Sequence, residues 1–151
     1  MSRQAKAKAL GLSQDEVTII ASIVEEETVK KDERGKVARL YMNRLKSGMP
    51  LQADPTVKFA IGDFSIKRIT EAMTKTDSPY NTYRFVGLPP GPIRLPDKST
   101  LDAVLNAPQH NYLYMCAKED FSGYHNFTTN FADHKANAQR YREELDKRGI
   151  N

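Results

Sequence analysis

Between Val17 and Val24 the apolar residues recur at helical spacing, with Val17, Ile20, Ala21 and Val24 on one face. Just ahead, Ser13-Gln14-Asp15-Glu16 carries a Ser-x-x-Glu capping pattern, in which serine and glutamate each satisfy a backbone N–H at a helix start. Together these predict a helix over 14–30. A second helix is expected from Asp32 to Ser47, with Val37, Leu40, Tyr41 and Leu45 facing inward and Gly48 as its stop. Pro50 and Pro55 divide MPLQADPTVKFAIG into a turn and a short helix, and SIKRITEAMT (65–74) reads as another short helix. Ser99 stands where it would cap a helix containing Leu101, Val104 and Leu105. Residues 111–118 and 124–130 have strand character across a turn at Ser122-Gly123, and Asn130 or Asp133 caps a last helix. The opening MSRQAKAKALGLS reads like the middle of a helix behind an added initiator Met. The fold class is α+β: mainly helical, with one small antiparallel hairpin.

The stretch 76–96, TDSPYNTYRFVGLPPGPIRLP, interrupts this pattern with five of the chain's eight prolines. Proline removes a backbone donor and fixes φ, so no regular element is expected there. Tyr80, Tyr83, Phe85, Ile93 and Leu95 supply apolar anchors that a disordered linker lacks, so the stretch reads as an ordered loop lining something. Its GLPPGPI segment is expected to form a rigid cleft wall.

With 151 residues, the chain has the length of one domain with a real core. At 39% hydrophobic and 28% charged it has the composition of a folded protein. The net charge of +4 is spread along the chain, without a block of like charges, and gives only a weak pointer to an anionic polymer. One cysteine, Cys116, excludes an internal disulfide framework and a multi-cysteine metal site. Walker, Rossmann and Gly-x-Ser-x-Gly patterns are missing from the sequence.

The three consecutive acids Glu25, Glu26 and Glu27 separate on a helical wheel. At ~100° per residue, Glu27 lies roughly 35° from the direction of the apolar face, against roughly 125° for Glu25 and 135° for Glu26. Glu25 and Glu26 therefore belong to the flanks or the solvent face, while Glu27 continues the buried stripe. A carboxyl on such a stripe raises its pKa or finds partners, and one held protonated near neutral pH is what a general acid needs. The ordinary alternative is that Glu27, in the last turn, reaches solvent or pairs with a lysine.

Other polar positions carry similar alternatives. Gln52, Asp54 and Thr56 suit a polar substrate, and Asp-Pro-Thr is equally a helix-start signal. Tyr80, Asn81 and Tyr83 form either a sugar-binding edge or loop packing. His125 and His134 lack a third ligand at usable spacing, so no metal is expected.

The blocks ASIVEEET, NRL…GMPLQADPTV, SPYNTY, GLPPGPI and HNFTTNFADH, in this order over roughly 10–145, resemble the endolytic murein transglycosylases of the MltG (YceG-like) family. The resemblance implies a lysozyme-like catalytic domain, here residues 1–151, that cuts peptidoglycan glycan strands internally. Family members carry a membrane anchor and a LysM-like subdomain upstream; neither is recognised here, which implies a periplasmic domain tethered to the inner membrane through a segment outside this sequence. The family's catalytic Glu-x-Glu pair matches Glu25 and Glu27 and assigns catalysis to Glu27, the residue the wheel singles out. Within the matching blocks, Glu25, Gln52, Asp54, Thr56, Tyr80, Asn81, Tyr83, His125 and Asn130 are the expected substrate-binding residues. The implied chemistry needs no cofactor and no second catalytic carboxylate. Implied partners are peptidoglycan strands and penicillin-binding synthases of the elongation or division machinery, without nucleic acid. The competing readings are a non-catalytic peptidoglycan-binding module and a basic nucleic-acid-binding domain, the latter resting on scattered lysine and arginine alone.

Overall fold

The structure, a computed structural model, describes residues 2–150. Met1, read from the sequence as an added initiator, and Asn151 lie outside the described residues. The elements are α1 (Arg3–Leu10), α2 (Gln14–Glu27), α3 (Arg34–Ser47), α4 (Asp54–Ile61), α5 (Lys98–Leu105), β1 (Tyr114–Ala117), β2 (His125–Thr128) and α6 (Phe131–Lys147). The α+β class expected from the pattern is the one observed. Among the described residues no helix is long and apolar enough to cross a membrane.

Helix α2 is the spine. Its capping box forms as expected, with Glu16 N–H donating to Ser13 Oγ and Ser13 N–H to Glu16 Oε1. From Ile19 to Glu25 every residue is buried, because α3, α4 and α5 pack around it. Ile20, Ile23 and Val24 meet Val37, Leu40 and Val104 in the core. The helix stops at Glu27, short of the expected 30: Thr28 turns extended (φ −144°, ψ 135°), and its hydroxyl accepts the Lys30 N–H and donates to Glu33. A single 3-10 turn, Lys31–Glu33, then leads into α3.

Helix α3 ends as expected at Gly48, whose φ of 69° is a left-handed conformation that glycine adopts without steric cost. Its polar face fixes the course of the chain into the hairpin. Arg39 donates to the carbonyls of Ala107 and Pro108, Asn43 to those of His110 and Tyr112, and Arg44 to that of Leu113. Five carbonyls between Ala107 and Leu113 are thereby satisfied from α3. The strands pair antiparallel with Tyr114 opposite Thr128 and Ala117 opposite His125, and α6 packs on them. His125 is thus carried to a place set by α3.

Two further expected details are corrected, and one left open is decided. Residues 65–74 form no α-helix; only Met73–Lys75 make a 3-10 turn. Side chains there divert the backbone: Asp63 accepts from Ser65 N–H and hydroxyl, Thr70 Oγ1 from Met73 N–H, and Thr74 donates to the Glu71 carbonyl. Helix α5 starts at Lys98 behind Asp97, because the Asp97 N–H and the Thr100 hydroxyl are both held by Glu25; Ser99 lies inside the helix. At α6 the cap is Asn130, which accepts the Asp133 N–H.

Candidate active site

A cleft of about 490 Å³ opens where the end of α2, α3, α4, the hairpin and α6 converge. Glu27 stands in it at the last turn of α2, with 17% of its side-chain surface exposed. Among the described residues no group hydrogen-bonds its carboxyl; the nearest cationic neighbour is His125, Nε2 4.0 Å from Oε1. Burial pushes Glu27 up from its ordinary value to about 7; the charge of His125 opposes that rise, and Asp54 adds to it. A carboxyl that is protonated near neutrality and has no internal partner can give its proton to a bound molecule.

His125 is held from behind. Its backbone N–H donates to Glu33 Oε1 (2.8 Å) and its Nδ1 lies 2.9 Å from Glu33 Oε2, so the ring presents Nε2 toward Glu27. Burial alone would lower the imidazole pKa; the Glu33 hydrogen bond and the charges of Glu27 and Glu33 outweigh it and raise it. Across the cleft, Tyr83 donates its hydroxyl to Asp54. Burial raises the Asp54 pKa and that hydrogen bond opposes it. Tyr41, 1% exposed, lines the cleft with a hydroxyl that finds no partner among the described residues.

The structure brings together Glu27, Gln52, Asp54, Tyr83 and His125 of the residues singled out from the sequence. Gln52 reaches the cleft from a left-handed backbone (φ 50°), a conformation uncommon outside glycine.

Five others lie elsewhere. Glu25, expected on a flank and assigned to substrate, is buried behind α2: it accepts from Asp97 N–H (2.8 Å) and Thr100 hydroxyl (2.7 Å) and pairs with Arg94 (2.7 Å). Thr56 is fully buried, donating to the Ala53 carbonyl and bonded to the Thr82 hydroxyl, which ties α4 to the proline-rich loop. Asn81 is fully buried too, donating to the carbonyls of Thr74 and Thr76. Tyr80 packs against Phe59 with the two rings tilted, centroids 4.7 Å apart. Asn130 is spent on the α6 cap. None of these five lines the cleft.

GLPPGPI is not a cleft wall either. It runs along the back of α2, where Ile93 N–H donates to Ser22 Oγ (3.0 Å).

Reading the sequence missed Glu33, Tyr41, Lys58 and Arg142. Tyr41 was visible only as an inward-facing helix residue, and Glu33 only as an acid near a helix start. Among the described residues no set of three His, Cys, Asp or Glu gathers as a metal site.

The family model for YceG-like proteins matches residues 1–140. The chain belongs to the YceG-like family. A protein named endolytic murein transglycosylase from Bacillus subtilis (strain 168) is 41% identical over 122 residues, 81% of this chain and 33% of that protein. One of the same name from Streptococcus pneumoniae serotype 2 is 33% identical over 138 residues, 89% of this chain and 25% of its own. A crystal structure of a YceG-like protein from Listeria monocytogenes superposes with a TM-score of 0.79 at 33% identity, covering 88% of this chain and 43% of that one. This YceG-like chain therefore spans a third or less of the length of the curated relatives it matches.

Proposed function

We propose that this chain is the catalytic domain of an endolytic peptidoglycan lytic transglycosylase in which Glu27 acts first as general acid and then as general base. The observation that carries the reading is Glu27 itself, a largely enclosed carboxyl with no hydrogen-bond partner among the described residues, raised to about 7, in a cleft of sugar-binding size. The names of the relatives supply the substrate class.

Protonated Glu27 gives its proton to the oxygen joining N-acetylmuramic acid to N-acetylglucosamine. The C1–O bond breaks and an oxocarbenium-like centre develops at C1. The C6 hydroxyl of the same muramic ring closes onto C1, and Glu27 takes the C6 proton, returning to its starting state. Because the ring supplies its own nucleophile, no second carboxylate and no activated water are needed, unlike in two-carboxylate glycosidases. Asp54 fits this scheme as a residue that fixes Tyr83 on the cleft wall.

His125 and Glu33 serve Glu27. When the proton has left, the imidazole facing Glu27 stabilises the carboxylate. We extend the reading to a lysozyme-like arrangement, a helix-borne acid facing a hairpin, and to a site of action outside the cytoplasmic membrane beside cell-wall synthases.

The test is mass spectrometry of glycan ends after digestion. The proposal expects 1,6-anhydro-muramic ends. Reducing muramic ends, heavier by one water, contradict it and indicate a hydrolase.

A further inference from the structure

The charges around the cleft are unevenly placed. Its carboxyls, Glu27 and Asp54, are deep, whereas α4, the segment 66–69 and α6 bring Lys58, Lys67, Arg68 and Arg142 to the same cavity. Arg68 is committed: it donates to Asp146 Oδ1 (3.0 Å) and to the Ile150 carbonyl (3.3 Å). This clip holds the segment against α6 one turn from Arg142, since residues four apart share a helix face.

The other three cations have no carboxylate within ion-pair distance among the described residues. Among the described residues Arg142 donates only to Gln139 on its own helix (3.1 Å). Glu26, the remaining acid at the cleft, is taken by Arg94 at 2.6 Å. Three like charges sharing one cavity repel each other, and an anionic ligand relieves that repulsion.

Resting on the lytic reading above, we infer that this cationic wall is a subsite for the free carboxylates of the stem peptides carried on the muramic lactyl groups. The sugars themselves are neutral and have no use for three cations. A stem peptide carries its carboxylates away from the ring, toward the cations that α4, the segment 66–69 and α6 bring to the cavity. The wall thus makes the enzyme selective for peptide-bearing strands with free carboxylates.

The experiment uses the natural full-length protein and three substrates: strands with free stem-peptide carboxylates, the same strands amidated with carbodiimide and ammonia, and amidase-denuded strands, in which only the lactyl carboxylate is free. Expected is a preference for the first of about 10-fold in kcat/KM, expressed in KM and eroded by salt. The double variant Lys67→Gln/Arg142→Gln, at two exposed positions, lowers that preference about 5-fold. Equal rates on free and amidated strands overturn the inference. Denuded strands cleaved as well as free ones overturn it too, and place the recognised anion on the lactyl group. Absence of anhydro ends from all three overturns the lytic reading instead. The subsite is then decided by pull-down, where preferential retention of free over amidated strands, lost in the double variant, supports it and equal retention overturns it.

Discussion

Glu25 and Glu27 sit two residues apart on α2, face opposite sides of its last turn, and behave as different chemical groups. Glu25 is the more deeply enclosed, with 4% of its side chain exposed against 17% for Glu27. Burial would raise the Glu25 pKa, yet the Asp97 N–H, the Thr100 hydroxyl and the charge of Arg94 hold it below its ordinary value. Glu27 has burial without those partners and rises to about 7. Side-chain exposure alone does not decide protonation; the desolvation each carboxyl feels and the donors the fold supplies decide it together. One acid ties α2 to α5 and the proline-rich loop, and the other has no hydrogen-bond donor among the described residues.

The largest effect expected from breaking this contrast is on catalysis. Glu27→Gln should lower the rate of anhydro-end formation by about 100-fold or more, the usual contribution of a general acid. Glu25→Ala should instead act on stability. It strands the Asp97 N–H and the Thr100 hydroxyl and leaves Arg94 with Glu26 alone, and should cost about 2–3 kcal/mol in chemical denaturation, the value reduced because Arg94 is 42% exposed and screened.

The two acids should also have opposite pH signatures. Glu27, raised when folded, stabilises the protein below pH 4.5, and this contribution is lost as pH rises toward 7. Glu25, lowered when folded, contributes above its unfolded value and loses that contribution as pH falls through its folded one. At pH 8, Glu27→Gln should therefore raise stability by about 2–3 kcal/mol and Glu25→Gln should lower it; at pH 4 the Glu27→Gln gain should vanish. The smallest effect concerns His125. Its charge holds Glu27 down, so His125→Gln should move the alkaline limb of the pH–rate profile upward, on top of any loss in rate.

Much of the frame could be read from the chain because its signals are local. The capping box at Ser13, the glycine stop at 48 and the hairpin turn at Ser122-Gly123 depend on neighbours a few residues away. Glu27 was legible for a related reason, since it continues a periodic stripe. Glu25 was not. The wheel assumes one covered face, and α2 is covered on nearly all sides by elements far along the chain. Asn81 and Thr56 failed for the same reason: polar residues in a loop or at a helix start suggest a ligand, but their partners, Thr74, Thr76 and Thr82, are backbone and hydroxyl groups of the protein itself. The missing helix at 65–74 reflects short polar side chains that capture the backbone locally, an outcome periodicity does not report.

The contrast between the two glutamates can be measured directly by carbon-13 NMR titration of the glutamate side-chain carboxyls, with Glu25→Gln and Glu27→Gln to assign them. The expected result is a Glu27 midpoint near 7 and a Glu25 midpoint below 4.5 in the same sample. A Glu27 midpoint at the ordinary glutamate value would contradict the account.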